Sequence, residues 1–302
     1  MRKEIMNLSL LRNPVWQRAD NLRDPAVLPL NDGYHVFYSR YSNQDWGKEE
    51  NWAVASVFTQ DFRTFKNDRD ISPKGFASPG DPILWHGRYV VPYQQYPGSP
   101  ARLCYSESAN AEVWSEPKFF LHAAHDLPWN THKRVIDPTF VVAGERLHCF
   151  FVGSCDTETD GRHANLLGHA VTTDPDLCTW DIVTYEQPLL GRCARAYDGV
   201  ENVMVFRTGD CWTMIYSEGL KEQHLAYAQS PDLVKWIVRG PINIPSQSWM
   251  SRNQGAPFVW KEGKTWLMIL MGTDANNRTS LGLLTSANGF DWSPLPESAK
   301  DT

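Results

Sequence analysis

Leu22-Arg23-Asp24-Pro25-Ala26-Val27-Leu28, followed by Gly33 and Tyr34-His35-Val36-Phe37-Tyr38-Ser39, is the stretch on which the fold turns. An acidic residue and a proline open an apolar strand, a glycine turns the chain, and a second, aromatic strand returns, which is the pattern of a β-hairpin. The same order recurs from Asp81-Pro82, Asp137-Pro138, Glu201-Asn202 and Ala256-Pro257, at intervals of about 55–64 residues, and such a period signals a modular array. In each copy a glycine follows, at Gly33, Gly87, Gly144, Gly209 and Gly263, where a tight hairpin needs a residue that tolerates positive φ.

Each copy closes with an Asp or Asn four residues ahead of an aromatic: Asp61 and Phe65, Asn110 and Trp114, Asp176 and Trp180, Asp232 and Trp236, Asn288 and Trp292. The acid or amide caps a turn and the ring packs between units, so these pairs build the fold and not the chemistry. Each unit then reads as four antiparallel strands. Five such units with almost no helix between them predict an all-β, five-bladed β-propeller, a single domain over 1–302 with blades starting near 24, 81, 137, 201 and 256. Residues 1–20 are expected to cover one end or lend a strand to the closure.

The net charge of −6 is spread over mixed acidic and basic residues, which argues against a nucleic-acid partner and leaves no basic surface for a membrane. Thirteen Trp and eleven Tyr are a high load for this length; packing between blades accounts for most of them, and such composition is common where flat rings stack on sugar faces. The six Cys form no Cys-x-x-Cys pair and read as free thiols. Residues 1–11 lack the apolar core of a signal peptide and no 18-residue apolar run exists, so the expectation is a soluble, cytoplasmic protein.

Polar insertions fall at matching points of successive blades, and a propeller brings them to one face. They are 42–51 with Trp46 and Trp52, 93–97, 155–165, and 273–279 with Asp274 and Arg278. The linkers add 122–133, 191–199 with Arg192, Arg195 and Asp198, and 244–254 with Trp249, Arg252 and Asn253. His122, His125, Asp126 and His132 show no metal-ligand spacing, so no metal is expected there.

The first residues of the innermost strands, nearest the axis, are Asp24, Asp81, Asp137, Glu201 and Ala256. Packing needs no acid there, and carboxylates converging on one tunnel repel, a cost usually kept for function. Asp before Pro is also a common strand-start turn, a plainer reading that is strongest for Asp81. Asp137 and Glu201 fall on adjacent blades, so the charge of Asp137 should keep Glu201 protonated as a general acid. Asp24, two blades from either, is then the base, and a separated acid and base is the arrangement that glycoside hydrolysis requires.

At these residues the chain resembles glycoside hydrolase family 43 and its wider group of five-bladed propeller enzymes. Leu22-Arg23-Asp24-Pro25-Ala26 is similar to the family's base motif, Ile136-Asp137-Pro138-Thr139-Phe140 to the motif that tunes the acid, and Val200-Glu201 ahead of Tyr216-Ser217-Glu218-Gly219 to the acid motif. Arg278 is similar in position to the family's substrate-binding Arg. The resemblance implies an inverting glycosidase acting on arabinofuranosides, xylosides or related oligosaccharides, and Asp81, Trp46, Trp85, Trp129 and Arg252 are further candidates for holding the sugar. No cofactor is expected, since Asn253-Gln254-Gly255 stands where the family often carries a His near a central calcium. Two alternatives stay open: a retaining, fructan-cleaving enzyme with Asp24 as nucleophile, and a carbohydrate-binding propeller without catalysis.

Overall fold

The computed structural model describes residues 6–42, 45–156, 163–190, 199–219 and 222–298. The loops read from sequence extend past these bounds: Arg192, Cys193, Arg195 and Asp198 lie outside the described residues. Five antiparallel sheets follow one another along the chain. Blade 1 is β1 (Asn21–Pro29), β2 (Tyr34–Tyr41), β3 (Trp52–Thr59) and β4 (Phe65–Asp70). Blade 2 splits its innermost strand into β5 (Phe76–Ala77) and β6 (Ile83–Trp85), both paired with β7 (Arg88–Gln95), and continues with β8 (Leu103–Ser108) and β9 (Lys118–Phe119). Blade 3 is β10 (Ile136–Ala143), β11 (Arg146–Asp156), β12 (His163–Thr172) and β13 (Asp181–Ile182). Blade 4 is β14 (Val200–Thr208), β15 (Cys211–Glu218), β16 (His224–Ser230) and β17 (Ile237–Pro241). Blade 5 is β18 (Asn253–Glu262), β19 (Thr265–Thr273), β20 (Thr279–Ser286) and β21 (Ser293–Pro294). The arrangement is the five-bladed propeller expected, and no helix among the described residues is long and apolar enough to cross a membrane.

The Asx–aromatic pairs act as read. The side-chain oxygens of Asp61, Asn110, Asp232 and Asn288 each accept two backbone N–H groups two and three residues on. In blade 3 the cap is displaced: Asp174 accepts the amides of Asp176, Cys178 and Thr179. The next residue of every pair, Phe62, Ala111, Leu177, Leu233 or Gly289, is left-handed, and the four with side chains are buried, so packing offsets the backbone cost. The closing ring then packs back onto the preceding blade, Trp114 on Phe37 at 5.3 Å, Trp180 on Phe120 at 5.4 Å and Trp236 on Phe150 at 6.0 Å.

For Phe65 of blade 1 the preceding blade is blade 5, and the partner is Trp16, stacked at 4.7 Å. Trp16 exchanges both backbone hydrogen bonds with Leu281 of β20. Buried Asn13 donates from Nδ2 to the carbonyls of Leu283 and Leu295 and accepts from the Leu283 amide. The N-terminal segment thus extends the outer edge of blade 5 and closes the ring.

Candidate active site

The innermost strands carry one strained residue each. Asp24, Ser78, Asp137, Asn202 and Ala256 have φ of 50°, 53°, 49°, 46° and 49°. In blades 1, 3, 4 and 5 these residues sit in β-bulges, where pairing slips between Arg23 and Ala26, Ile136 and Thr139, Glu201 and Met204, and Gly255 and Phe258; in blade 2 Ser78 lies in the gap between β5 and β6. A non-glycine residue in this region costs roughly 1–2 kcal/mol, and bulges re-aim side chains, so five of them around one axis point to a site.

Second strands hold these bulges across blade boundaries. Ser39 Oγ on β2 accepts the Ser78 amide at 2.7 Å while donating to Asp24 Oδ2 at 2.7 Å. Gln94 Oε1 on β7 accepts the Asp137 amide, and Ser217 Oγ on β15 accepts the Ala256 amide at 2.9 Å. Blades 1, 2 and 4 thus each hold the strained residue of the next blade.

This register corrects two placements. The ring equivalent of Asp24 in blade 2 is Ser78, and Asp81 lies beyond the break, lining the narrow axial cavity with Pro79, Gly80 and Phe258. Burial alone pushes the Asp81 carboxyl well above the ordinary range. In blade 4 the ring equivalent is Asn202. Glu201 precedes it, opposite Ser217 as Arg23 is opposite Ser39, so it stands in a neighbouring ring of positions.

A cavity of about 160 Å³ joins both rings, lined among others by Arg23, Asp24, Tyr96, Arg134, Asp137 and Glu201. Asp24 Oδ2 accepts from Ser39 and, at 3.4 Å, from Ser78, while Asn202 Nδ2 donates to its Oδ1 at 3.4 Å. Glu201 Oε1 accepts Asn165 Nδ2 at 2.6 Å and its Oε2 accepts Gln223 Nε2 at 2.9 Å. Gly255 makes room for this clamp, since a Cβ there would stand 2.6 Å from Gln223 Oε1. Arg134 in turn donates to Asn165 Oδ1.

Burial raises the Asp137 carboxyl to about 7, with the negative charges of Glu201 and then Asp24 adding to it and Arg134 opposing. Glu201 is also raised, by burial first, against the pull of Arg134 and Arg23, with Asp24 adding. The charge of Glu201 raises Asp137, whereas the negative charge that raises Glu201 is that of Asp24, so the lift of Glu201 by Asp137 expected from the sequence is what an Asp137 variant would test; the amide donors on Glu201 favour its charged form. Replacing Asp137 by Asn should remove one repelling charge, so a pH profile of the activity should show its alkaline limb moved to lower pH. An unmoved limb would leave burial and Asp24 as the sole causes of the Glu201 shift. The stability sign is opposite to that of an ordinary salt-bridged Asp: a carboxyl raised on folding stabilises at low pH and loses that contribution as pH rises through about 7. Above that pH, Asp137→Asn should melt higher than wild type.

The remaining candidates divide. Trp46 lines the cavity, its ring 4.6 Å from the Arg23 guanidinium, and Arg252 lines an adjoining cavity that Trp46 and Arg23 share. Arg278 is exposed and donates to the Arg18 carbonyl instead of lining either cavity. Trp85 is buried with its indole N–H on the Asp174 carbonyl, and Trp129 is buried against Phe151 with its N–H on the Thr184 carbonyl. Both pack blades together, as most tryptophans of a propeller must. Residues that the sequence did not single out are Arg134, Asn165, Gln223, Asn202 and Tyr96.

Asp24, Asp81 and Asp137 line the narrow axial cavity together with the apolar Val203, Met204, Ala256 and Phe258, and among the described residues no group of three or more His, Cys, Asp or Glu is placed so that it could hold a metal ion. His125 has its ring nitrogens on the carbonyls of His122 and Ala101, and His132 faces Asp156 at 2.9 Å.

The sequence matches no protein-family model and no curated protein. Solved structures do match. A glycoside hydrolase superposes with a TM-score of 0.76 at 13% identity over 99% of this chain and 93% of its own. A thermostable family-43 glycoside hydrolase gives 0.72 at 13% identity over 96% and 97%. The catalytic domain of the Coprinopsis cinerea GH62 α-L-arabinofuranosidase gives 0.64 at 14% identity over 95% and 99%. This chain therefore shares, nearly end to end, the five-bladed propeller fold of these glycoside hydrolases.

Proposed function

We propose that the protein is a glycoside hydrolase that cleaves with inversion, with Asp24 as general base, Glu201 as general acid and Asp137 as the residue that tunes the acid and orients the sugar. The observation that carries this reading is the gathering of three buried or half-buried carboxyl groups around one small polar cavity, two of them on strained bulges. The likeness in fold to glycoside hydrolases supports the reaction class, and a GH62 α-L-arabinofuranosidase among them supports furanosides, with xylosides and related oligosaccharides, as first substrates.

In this mechanism Asp24 takes a proton from water as the water oxygen bonds to the anomeric carbon. The bond from that carbon to the leaving oxygen breaks on the other side, and Glu201 gives its proton to the leaving oxygen. Atoms balance as glycoside plus water to two hydroxyl products. Asp24 and Glu201 belong to blades 1 and 4, which are not neighbours, and inversion asks for carboxyls about 6.5–9.5 Å apart with water between them. A screen of aryl furanosides and pyranosides should give turnover, and proton NMR of the first-formed sugar should show the anomer opposite to the substrate's. A first product of retained configuration would make Asp24 a nucleophile; no turnover on any glycoside would leave a binding propeller.

A further inference from the structure

A second cavity, about 540 Å³, opens beside the catalytic one between blades 1 and 5. Its size falls in the range of small-molecule sites, about 300–1,000 Å³. The Arg23–Trp46 pair lies in the lining of both, so a molecule in one touches the wall of the other. Two guanidinium groups, Arg23 and Arg252, line the larger cavity, and among the described residues its lining contains no carboxylate. In a chain of net charge −6 that is a local reversal of sign. Neither arginine is in an ion pair among the described residues: Arg23 lies over the Trp46 ring and Arg252 donates to the side chain of Asn277, which also lines the cavity.

The rest of the lining has the composition of a sugar site. Trp46, 45% exposed and backed by the buried Tyr41 ring 5.0 Å away, supplies flat apolar surface, and Asn253 and Asn276 supply amides for hydroxyl groups. Guanidinium forks match a planar two-oxygen acceptor and hold it by paired, charge-assisted hydrogen bonds. Arg23 also acts on Glu201 in the adjoining cavity, so it is the Arg252 fork that a neutral glycan leaves without a charged counterpart.

We infer that this cavity is a subsite for a uronic acid, a sugar whose carboxylate is held by Arg252 and Arg23 while its ring lies against Trp46, so that the substrate is an acidic oligosaccharide. The inference rests on the hydrolase reading for the word substrate, but the binding site itself is tested without turnover. Calorimetric titration of the full chain should show galacturonate bound at least about tenfold more tightly than galactose, the scale of one charge-assisted hydrogen bond or more, with the difference shrinking in high salt. Arg252→Gln should remove the preference, and Asn276→Asp, which sets a carboxylate in the lining, should abolish galacturonate binding; both positions are exposed, so either variant should fold. Asp24→Asn should keep the preference, which separates this site from the catalytic one. Equal affinity for the two sugars, a preference that survives Arg252→Gln, or tighter binding of galactose 6-sulfate than of galacturonate would overturn the inference. If galacturonate binds as expected and no glycoside is cleaved, the hydrolase reading fails and the subsite stands.

Discussion

Asp24→Asn should lower turnover of every glycoside by at least about a hundredfold, the lower range for loss of a general base. The amide cannot take a proton from water, while its oxygen can still accept from Ser39, whose hydroxyl also receives the Ser78 amide and so links blades 1 and 2. The loss should therefore fall on the rate and leave folding nearly intact, which thermal denaturation alongside the kinetics would check. A second signature follows from electrostatics, because the charge of Asp24 raises both Asp137 and Glu201. Residual activity of the variant should lose its alkaline limb at lower pH than wild type. Activity near the wild-type level would remove Asp24 from the mechanism.

Much of the fold was legible in the sequence because each blade repeats local chemistry: a glycine at the first hairpin and an Asx cap ahead of a packing ring. The ring closure was only half legible. Trp16 and Asn13 carry no periodic signal, and their role comes from pairing with Leu281 and Leu283, far away in sequence. Blade 2 was misplaced for a specific reason. Ala77-Ser78-Pro79-Gly80-Asp81-Pro82 offers two residues before proline, and the acidic one draws the eye, while Gly87 stands nine residues beyond Ser78 and six beyond Asp81, against nine in blade 1 and seven in blades 3, 4 and 5, so the spacing to the turn glycine does not decide between them. What assigns Ser78 is its left-handed backbone and its amide bond to Ser39 of the preceding blade, neither of which a local pattern records. The acids Asp24, Asp137 and Glu201 were legible as residues out of place in strands. Arg134, Asn165 and Gln223 were not, since they reach Glu201 and one another across blade boundaries and insertions whose course no local pattern records.

Glu201→Gln should divide substrates by their leaving groups. Natural glycosides leave as alkoxides unless protonated, so they should slow by about 10²–10⁴-fold, the range for a lost general acid. Aryl glycosides with acidic phenols leave without help and should slow far less. Gln at this position keeps an oxygen for one of the two amide donors, Asn165 or Gln223, but its own amide group cannot accept from the other. A conformational cost should therefore appear on all substrates equally, as a common factor that the ratio between natural and aryl glycosides cancels. That ratio is the quantity to measure, across a series of phenols of rising pKa: a slope steeper than wild type assigns the proton to Glu201. Equal losses along the whole series would place the acid elsewhere, and Asp137, whose carboxyl is raised to about 7 in the same cavity, would be the group to test next.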